Sequence, residues 1–564
     1  MDIYKQKALD KIPFVPSLFK TLAQGYSYKM LFKDFSAGCN IAVIALPLSL
    51  AFSIASGLTP EKGLYSSIVA SLIMAFLSGS NFQICGPTGA LVIIIFTIIS
   101  RYGYDGLIIT TIISGTILIF CGITRLGFLI KYIPYPVTIG FTLGIALLIF
   151  SSQVKDFFGL PMAETPPEFF DKWHLYLRNA LSFSPSTLFT SFFTLLVIIS
   201  VRFYIPRFPA PVMGVIFTTV IVWLFDLPVE TIGSRFGTLP SDIPSFLVPL
   251  DFSIERLRIL LPDAFTMALL IAIESLLSCV VADSMTGKRH NSNMELIAQG
   301  VGNIGSVLFN GMPATGSIGR TMTNIRSGAY SPISSIFHAI FLFGFILYLM
   351  PAIELIPLSA FAGVLVVVAY DMSDLMTVRR MFYGPTADWA LMLLTFILTV
   401  VLDLTTAVYV GVILASLFFM GRMGEITQLQ TVTKEYQSHE IVQDIPVEKD
   451  KLPKGVHIFS INGPLFFGVA DRLQKLLEAM ETTPKVFILY LHNMPTIDMT
   501  AIHTLESFIE KRRSGCKIFL ADIHPATRST LDRAGIIHAV GKENIFPTLQ
   551  SAVEESTKFV EDTA

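Results

Sequence analysis

An α-helical polytopic membrane protein of fourteen spans, followed by a small soluble α/β domain, is the fold class this sequence predicts, and three observations predict it. Hydrophobic residues make up 52% of the 564 and charged residues 15%, with a mean hydropathy of +0.65, a balance foreign to a soluble globular domain. The intervals 35–60, 63–100, 106–124, 132–154, 179–201, 208–225, 296–319, 327–353 and 404–421 contain no Asp, Glu, Lys or Arg. Each is about as long as the ~20 residues that cross ~30 Å of hydrocarbon as a helix. Finally, one spacing occurs twice: Gly57 precedes Gly86-Pro87-Thr88-Gly89-Ala90 by 29 positions, and Gly287 precedes Gly316-Ser317-Ile318-Gly319-Arg320 by the same 29, 230 positions later. Helix-breaking points repeated in two apolar halves point to a transporter with internal symmetry, whose substrate sits where broken helices begin.

Residues 1–33 carry six lysines against Asp2 and Asp10 and no short apolar core with a cleavage site. They are expected to form a cytoplasmic amino-terminal arm. The transport domain follows at 34–422, with spans expected at 38–57, 62–81, 88–101, 107–124, 133–155, 184–203, 208–226, 262–283, 293–311, 317–327, 332–351, 356–372, 386–403 and 405–421. An even number of spans puts both termini on the cytoplasmic side. Spans 88–101 and 317–327 are too short to cross alone, so each is expected to start near mid-membrane and be completed by extended backbone. Stretches 156–178 and 227–261 are expected to be outer or interfacial loops with no chemistry of their own. Beyond a charged linker at 423–452, short strand-like runs alternate with amphipathic helical ones from 453 to 560, which predicts a small α/β domain.

A helix that starts inside the bilayer presents unpaired N–H groups and the positive end of its dipole, so two facing starts make an anion site built mostly of backbone. Gly86, Gly89 and Ala90 permit close approach, Pro87 suits a first helical turn, and Thr88 offers a hydroxyl. Opposite them stand Thr315, Gly316, Ser317, Ile318, Gly319 and Arg320. Arg320 either adds positive potential beside the anion or pairs with a carboxylate such as Glu274, and the two are compatible. Glu274 follows the apolar run 269–273 and is a candidate coupling or gating carboxylate. Asp283, nine residues later, is a candidate cap or cation ligand. Pro47 bends the first span, which turns Ser49 and Phe52 toward a central cavity.

Other chemistries are excluded by what the chain lacks. The near-neutral net charge of −2 and the absence of a basic, aromatic-interleaved patch argue against nucleic acid. There is no phosphate-binding glycine loop with its lysine, so transport draws on a gradient and not on ATP held by this chain. The five cysteines have neither metal spacing nor a disulfide pattern, and no cofactor is expected beyond a coupling ion, H⁺ or Na⁺.

Strings across both halves, including 45–52, Gly63-Leu64-Tyr65-Ser66, 86–90, 273–277, 281–287, 295–300 and 324–329, closely resemble the sulfate permease family, within it the branch that includes a dicarboxylic acid uptake protein. The resemblance covers about residues 30–560. It implies a 7+7 inverted repeat divided into core and gate domains, elevator-like alternating access, and a homodimer in the bacterial inner membrane. It places the anion, sulfate or bicarbonate or a small dicarboxylate, between the starts of the third and tenth spans, here 86–90 and 317–320, with Phe52 as the first-span aromatic. Related bicarbonate carriers bind sodium between the eighth and tenth spans, which makes Glu274, Asp283 and Thr315 the sodium candidates. The tail resembles a STAS domain, which implies a cytoplasmic protein partner or a dimer-stabilising role. Asp498 and Thr500, with Met499 between them, stand at the positions of the Asp-Ser pair that carries the phosphorylatable serine in anti-sigma factor antagonists, with threonine in place of the serine.

Overall fold

The computed structural model describes residues 14–128, 134–162, 165–166, 168–205, 208–240, 244–247, 253–402, 404–432, 452–478, 484–512 and 515–562. The first thirteen residues of the expected arm and most of the expected linker lie outside them. The chain divides into two compact units, 1–413 and 414–564.

The first unit is helical. A short α1 (Ser17–Ala23) precedes α2 (Tyr28–Ala55), α3 (Pro60–Leu77), the two-residue strand β1 (Cys85–Gly86), α4 (Gly89–Ile123) and α5 (Tyr135–Phe158). Next come α6 (Phe169–Arg178), α7 (Pro185–Tyr204), α8 (Ala210–Phe225) and α9 (Ile232–Phe236). The second half repeats the order with α10 (Ile254–Thr286), α11 (Ser292–Leu308), strand β2 (Thr315–Gly316), α12 (Ile318–Arg326), α13 (Ile333–Ile353) and α14 (Leu358–Ser373). It closes with α15 (Leu375–Met381) and α16 (Thr386–Val401), and α17 (Leu404–Ile426) runs across the division at 413. Among the described residues, seven helical stretches are long and apolar enough to cross a membrane unaided, while α8 and α16 are apolar but shorter. Lipid-facing character is plainest on α7 and α8, where Phe189, Phe192, Phe203, Trp223 and Phe225 are all exposed.

The expected spans 88–101 and 107–124 are two helical segments of α4 that meet at Gly103, with φ 70° and ψ −173°, a conformation open only to glycine at little cost. Two other expectations need correction. Helix α10 starts at Ile254, with the Ser253 hydroxyl accepting from the Arg256 amide, and Pro262 lies within it; Glu255, Arg256 and Arg258 had made this first turn look like loop. Stretch 156–178 is not featureless: α6 is amphipathic and buries Lys172 and Tyr176.

The repeated spacing has a structural counterpart. Gly57 and Gly287 each follow the first long helix of a half with positive φ, +78° and +70°. The strands 29 residues on pair with each other, antiparallel, Cys85 with Gly316 and Gly86 with Thr315. Adding 230 to one strand's numbers gives the other's, so the pairing register itself follows a local two-fold axis. Around it, α2, α3, α4 and α10 to α13 pack as one bundle, and α5, α7, α8, α14 and α16 as a second. Glycines allow a close crossing of α4 and α11 in the first bundle: a Cβ on Gly115 would meet the Gly300 carbonyl at 2.7 Å, and one on Gly300 would overlap the Gly115 carbonyl, the close backbone approach that small residues allow.

The second unit holds a five-stranded sheet, β3 (Gln428–Val432), β4 (Val456–Asn462), β5 (Val486–Tyr490), β6 (Lys517–Ala521) and β7 (Ile545–Phe546), in that spatial order. β3 runs antiparallel to β4, and the remaining pairs are parallel. Every residue of β5 is buried, as in a parallel strand covered on both faces. Helices α18 (Phe467–Glu478), α19 (Met499–Arg512), α20 (Pro525–Arg533), α21 (Ile536–Val540) and α22 (Leu549–Asp562) supply the cover. The sheet reaches back into the stretch expected to be linker, because Leu429 inserts into the core beside Phe459 and Ile461.

Candidate anion site

Extended backbone in mid-bilayer is tolerated only where protein groups satisfy its N–H and C=O. Here side chains do so on both crossing segments. On the first, the Phe82 carbonyl accepts from Asn324 Nδ2 at 2.8 Å, Gln83 O from Ser335 Oγ at 3.2 Å and Cys85 O from Ser71 Oγ at 2.7 Å. The Ile84 amide donates to Thr321 Oγ1 at 3.2 Å, and the Ile84 carbonyl accepts from the Ser317 amide at 3.0 Å. On the second, Met312 O accepts from Ser66 and Ser306, and Asn303 clamps Ala314 through both its amide and its carbonyl at 2.8 Å each.

Two adjacent residues of α10 then tie the crossing segments together. Thr88 Oγ1 donates to Glu274 Oε2 at 2.7 Å. Its neighbour Ser275 shares a 2.8 Å hydrogen bond with Thr315 Oγ1 and accepts from the Gly316 amide at 3.0 Å. Of the two readings of Arg320, a pairing with Glu274 is not formed. Arg320 is buried, its Nη2 donates to the Pro87 carbonyl at 2.9 Å, and its Nη1 has no hydrogen-bond partner among the described residues. A Cβ on Gly86 would overlap that Nη1, and one on Gly316 would overlap Gln83 Nε2; the two glycines leave room for these side-chain ends.

The two helix starts differ in access. Residues 82–90 are buried throughout, whereas Ser317 is half-buried and Ile318 and Gly319 are exposed. A Cβ added to Gly319 would meet nothing within 4 Å, while one on Gly89, its counterpart, would face Met372 and Ile149 of the second bundle. The open face of α12 continues through Thr323 to exposed Arg326.

Phe52 is buried in the main core, in one cluster with Ala90 of the first helix start. Other sequence-derived candidates fall elsewhere. Ser49 does not face a cavity: its hydroxyl bonds Ser67 at 2.7 Å, on α3. Asp283 stands about 13 Å along the helix axis from Glu274 and holds the following turn, accepting from the His290 amide at 3.1 Å and meeting His290 Nδ1 at 2.7 Å. The three sodium candidates are thus not gathered in one place. In that turn, burial holds the Lys288 ammonium below its usual pKa, and its Nζ lies 4.6 Å from the Tyr330 ring centroid. In the second unit, Asp498 accepts from the Ala501 amide at 2.9 Å and the Phe467 amide at 2.8 Å, and Thr500 is exposed in the first turn of α19. Sequence reasoning passed over Ser275, Asn303 and Gln83; an Asn inside the apolar run 296–319 was the one available signal.

The sulfate permease family model matches residues 31–429 and the STAS domain model residues 449–552. The chain belongs to the sulfate permease family. It is 36% identical over 526 residues to YvdB of Bacillus subtilis, provisionally named a sulfate transporter, covering 93% of this chain and 97% of that protein. It is 28% identical over 542 residues to the bicarbonate transporter BicA of a Picosynechococcus strain, covering 93% and 94%. The fold matches that of murine Slc26a9 in an inward-facing state, with a TM-score of 0.86, 18% identity and 98% and 95% of the two chains covered. The chain is accordingly an anion permease of this family, with an inverted-repeat membrane core and a STAS domain.

Proposed function

We propose that this permease is a secondary active transporter carrying sulfate, bicarbonate or a small dicarboxylate with H⁺ or Na⁺ across the bacterial inner membrane. The observation that carries the reading is the antiparallel pairing of β1 with β2, which holds two helix starts face to face with Arg320 Nη1 unpaired between them. Backbone N–H groups and a guanidinium recognise negative charge and oxyanion geometry. Glu274 is the coupling group: it accepts from Thr88 on the third-span side, and its neighbour Ser275 holds the tenth-span side. A proton or sodium ion at Glu274 changes what Thr88 can donate to, and so links ion occupancy to the anion site.

Transport proceeds by sliding the first bundle past the second along a seam where Gly89 meets Ile149 and Met372. The open face of α12 corresponds to access from the cytoplasmic side, with both termini cytoplasmic and two copies forming a dimer. The STAS domain serves in docking or dimer stabilisation, with Asp498 as a cap and Thr500 at an accessible helix start.

The test is uptake of labelled sulfate, bicarbonate and succinate, in mutual competition, into proteoliposomes with imposed pH or sodium gradients. Gradient-driven accumulation of one of them, abolished by Glu274→Gln, is expected. Flux indifferent to both gradients overturns the coupling role.

A further inference from the structure

The stretch 156–178 plays no part in the reading above, yet it carries a buried cation. Lys172 is 6% exposed, its Nζ sits 5.5 Å from the Phe96 ring centroid, and it forms no salt bridge among the described residues. Burial lowers its pKa, partly offset by the Glu168 charge. An ammonium kept from water without a bonded carboxylate is costly unless something uses it.

Its placement indicates the use. Helix α6 belongs to the second bundle: it packs on α5 and α16, and Trp173 Nε1 donates to Ser151 Oγ of α5 at 3.1 Å. Lys172 therefore rides on the second bundle and reaches across the seam to Phe96 on α4 of the first. Phe96 follows Gly89 by seven residues, two turns and about 10 Å along the helix, which returns it to nearly the same face. One face of α4 thus carries the anion-site glycine at one end, against Ile149 and Met372, and the lysine's resting ring at the other. Sliding the first bundle along this seam carries Gly89 toward Lys172 and Phe96 away from it.

We infer that Lys172 is an anion-recruiting residue at the outer mouth, resting on the Phe96 ring while the site opens inward and meeting the anion when the site arrives there. This rests on the transport reading and on its cytoplasmic placement of the termini. A cation parked on a ring face gives up a weak, displaceable contact in exchange for a charge-assisted one, so the lysine acts on capture from outside and not on the coupling step.

The experiment measures KM and maximal rate for external anion in proteoliposomes of defined orientation, using whichever of sulfate, bicarbonate and succinate the wild type accumulates. Lys172→Gln is expected to raise the external KM about tenfold with the maximal rate little changed, and Lys172→Arg to restore it. In Lys172→Cys, a cationic methanethiosulfonate reagent applied outside lowers KM again and an anionic one raises it further, with treated wild type as control. An unchanged KM in Lys172→Gln, or a lowered rate blind to the sign of the attached charge, overturns the inference. No uptake by wild type under any gradient defeats the transport reading itself and is distinguishable from either.

Discussion

Gly86 and Gly319 belong to the same doubled motif but answer differently to an added methyl group. At Gly86 the methyl would push into Arg320 Nη1, whereas at Gly319 it meets open space. Gly86→Ala is expected to give a folded protein that has lost anion uptake, because the guanidinium must leave the Pro87 carbonyl. Gly319→Ala is expected to keep expression and thermal stability and to weaken uptake only modestly, since it narrows the mouth of the site without displacing a partner. Measuring uptake and detergent melting for both separates the roles. At this scale the sequence was a good guide to position and a poor one to partners. The doubled glycines marked both helix starts, but nothing in a linear chain says that Arg320 bonds a backbone carbonyl 233 residues away while Glu274 takes a threonine. Ser275 was invisible for the same reason: a serine between Glu274 and Leu276 has no distinguishing pattern until the fold brings Gly316 to it.

The elements that cross the middle of the bilayer are two-residue strands followed by helices, and they stand because side chains replace missing backbone partners. Asn303 is the sharpest case, with both amide atoms committed to Ala314. Asn303→Leu strands a buried N–H and a buried C=O, at about 1–3 kcal/mol each, and should lower the melting temperature of the detergent-solubilised protein and abolish uptake together. In the second unit, Asp498→Ala removes the acceptor for the Ala501 amide in the first turn of α19 and for the Phe467 amide at the start of α18, and should destabilise the STAS domain by about 1–2 kcal/mol, read as faster proteolysis within 453–560 of the full chain. A melting curve or a protease half-life indistinguishable from wild type counts against each. Helix positions were legible because charge gaps mark lipid-crossing runs. Where polarity was equated with surface the reading failed: α6 looked like loop because its residues are mixed, although its apolar side packs on α5 and buries Lys172. Strand β3 was missed since five residues beside charged neighbours carry too little alternation to stand out.

At the scale of the whole membrane unit, one local two-fold axis organises the fold, and departures from it organise the chemistry. The axis passes between β1 and β2; Pro87 and Thr88 lie on one side, with Ile318 and Arg320 on the other. The buried third-span start and the open tenth-span start are one such departure. Two corresponding halves were readable from the 230-residue offset and the seven-plus-seven organisation was implied by the family resemblance, whereas the division into two bundles depends on contacts between helices distant in sequence. The central claim is that the facing starts of α4 and α12 bind the transported anion. Its most direct test is labelled-anion uptake by wild-type and Gly86→Ala proteoliposomes of matched protein content. Saturable, gradient-driven accumulation in the wild type and none above empty liposomes in Gly86→Ala is the predicted result, and uptake by Gly86→Ala at the wild-type rate would contradict it.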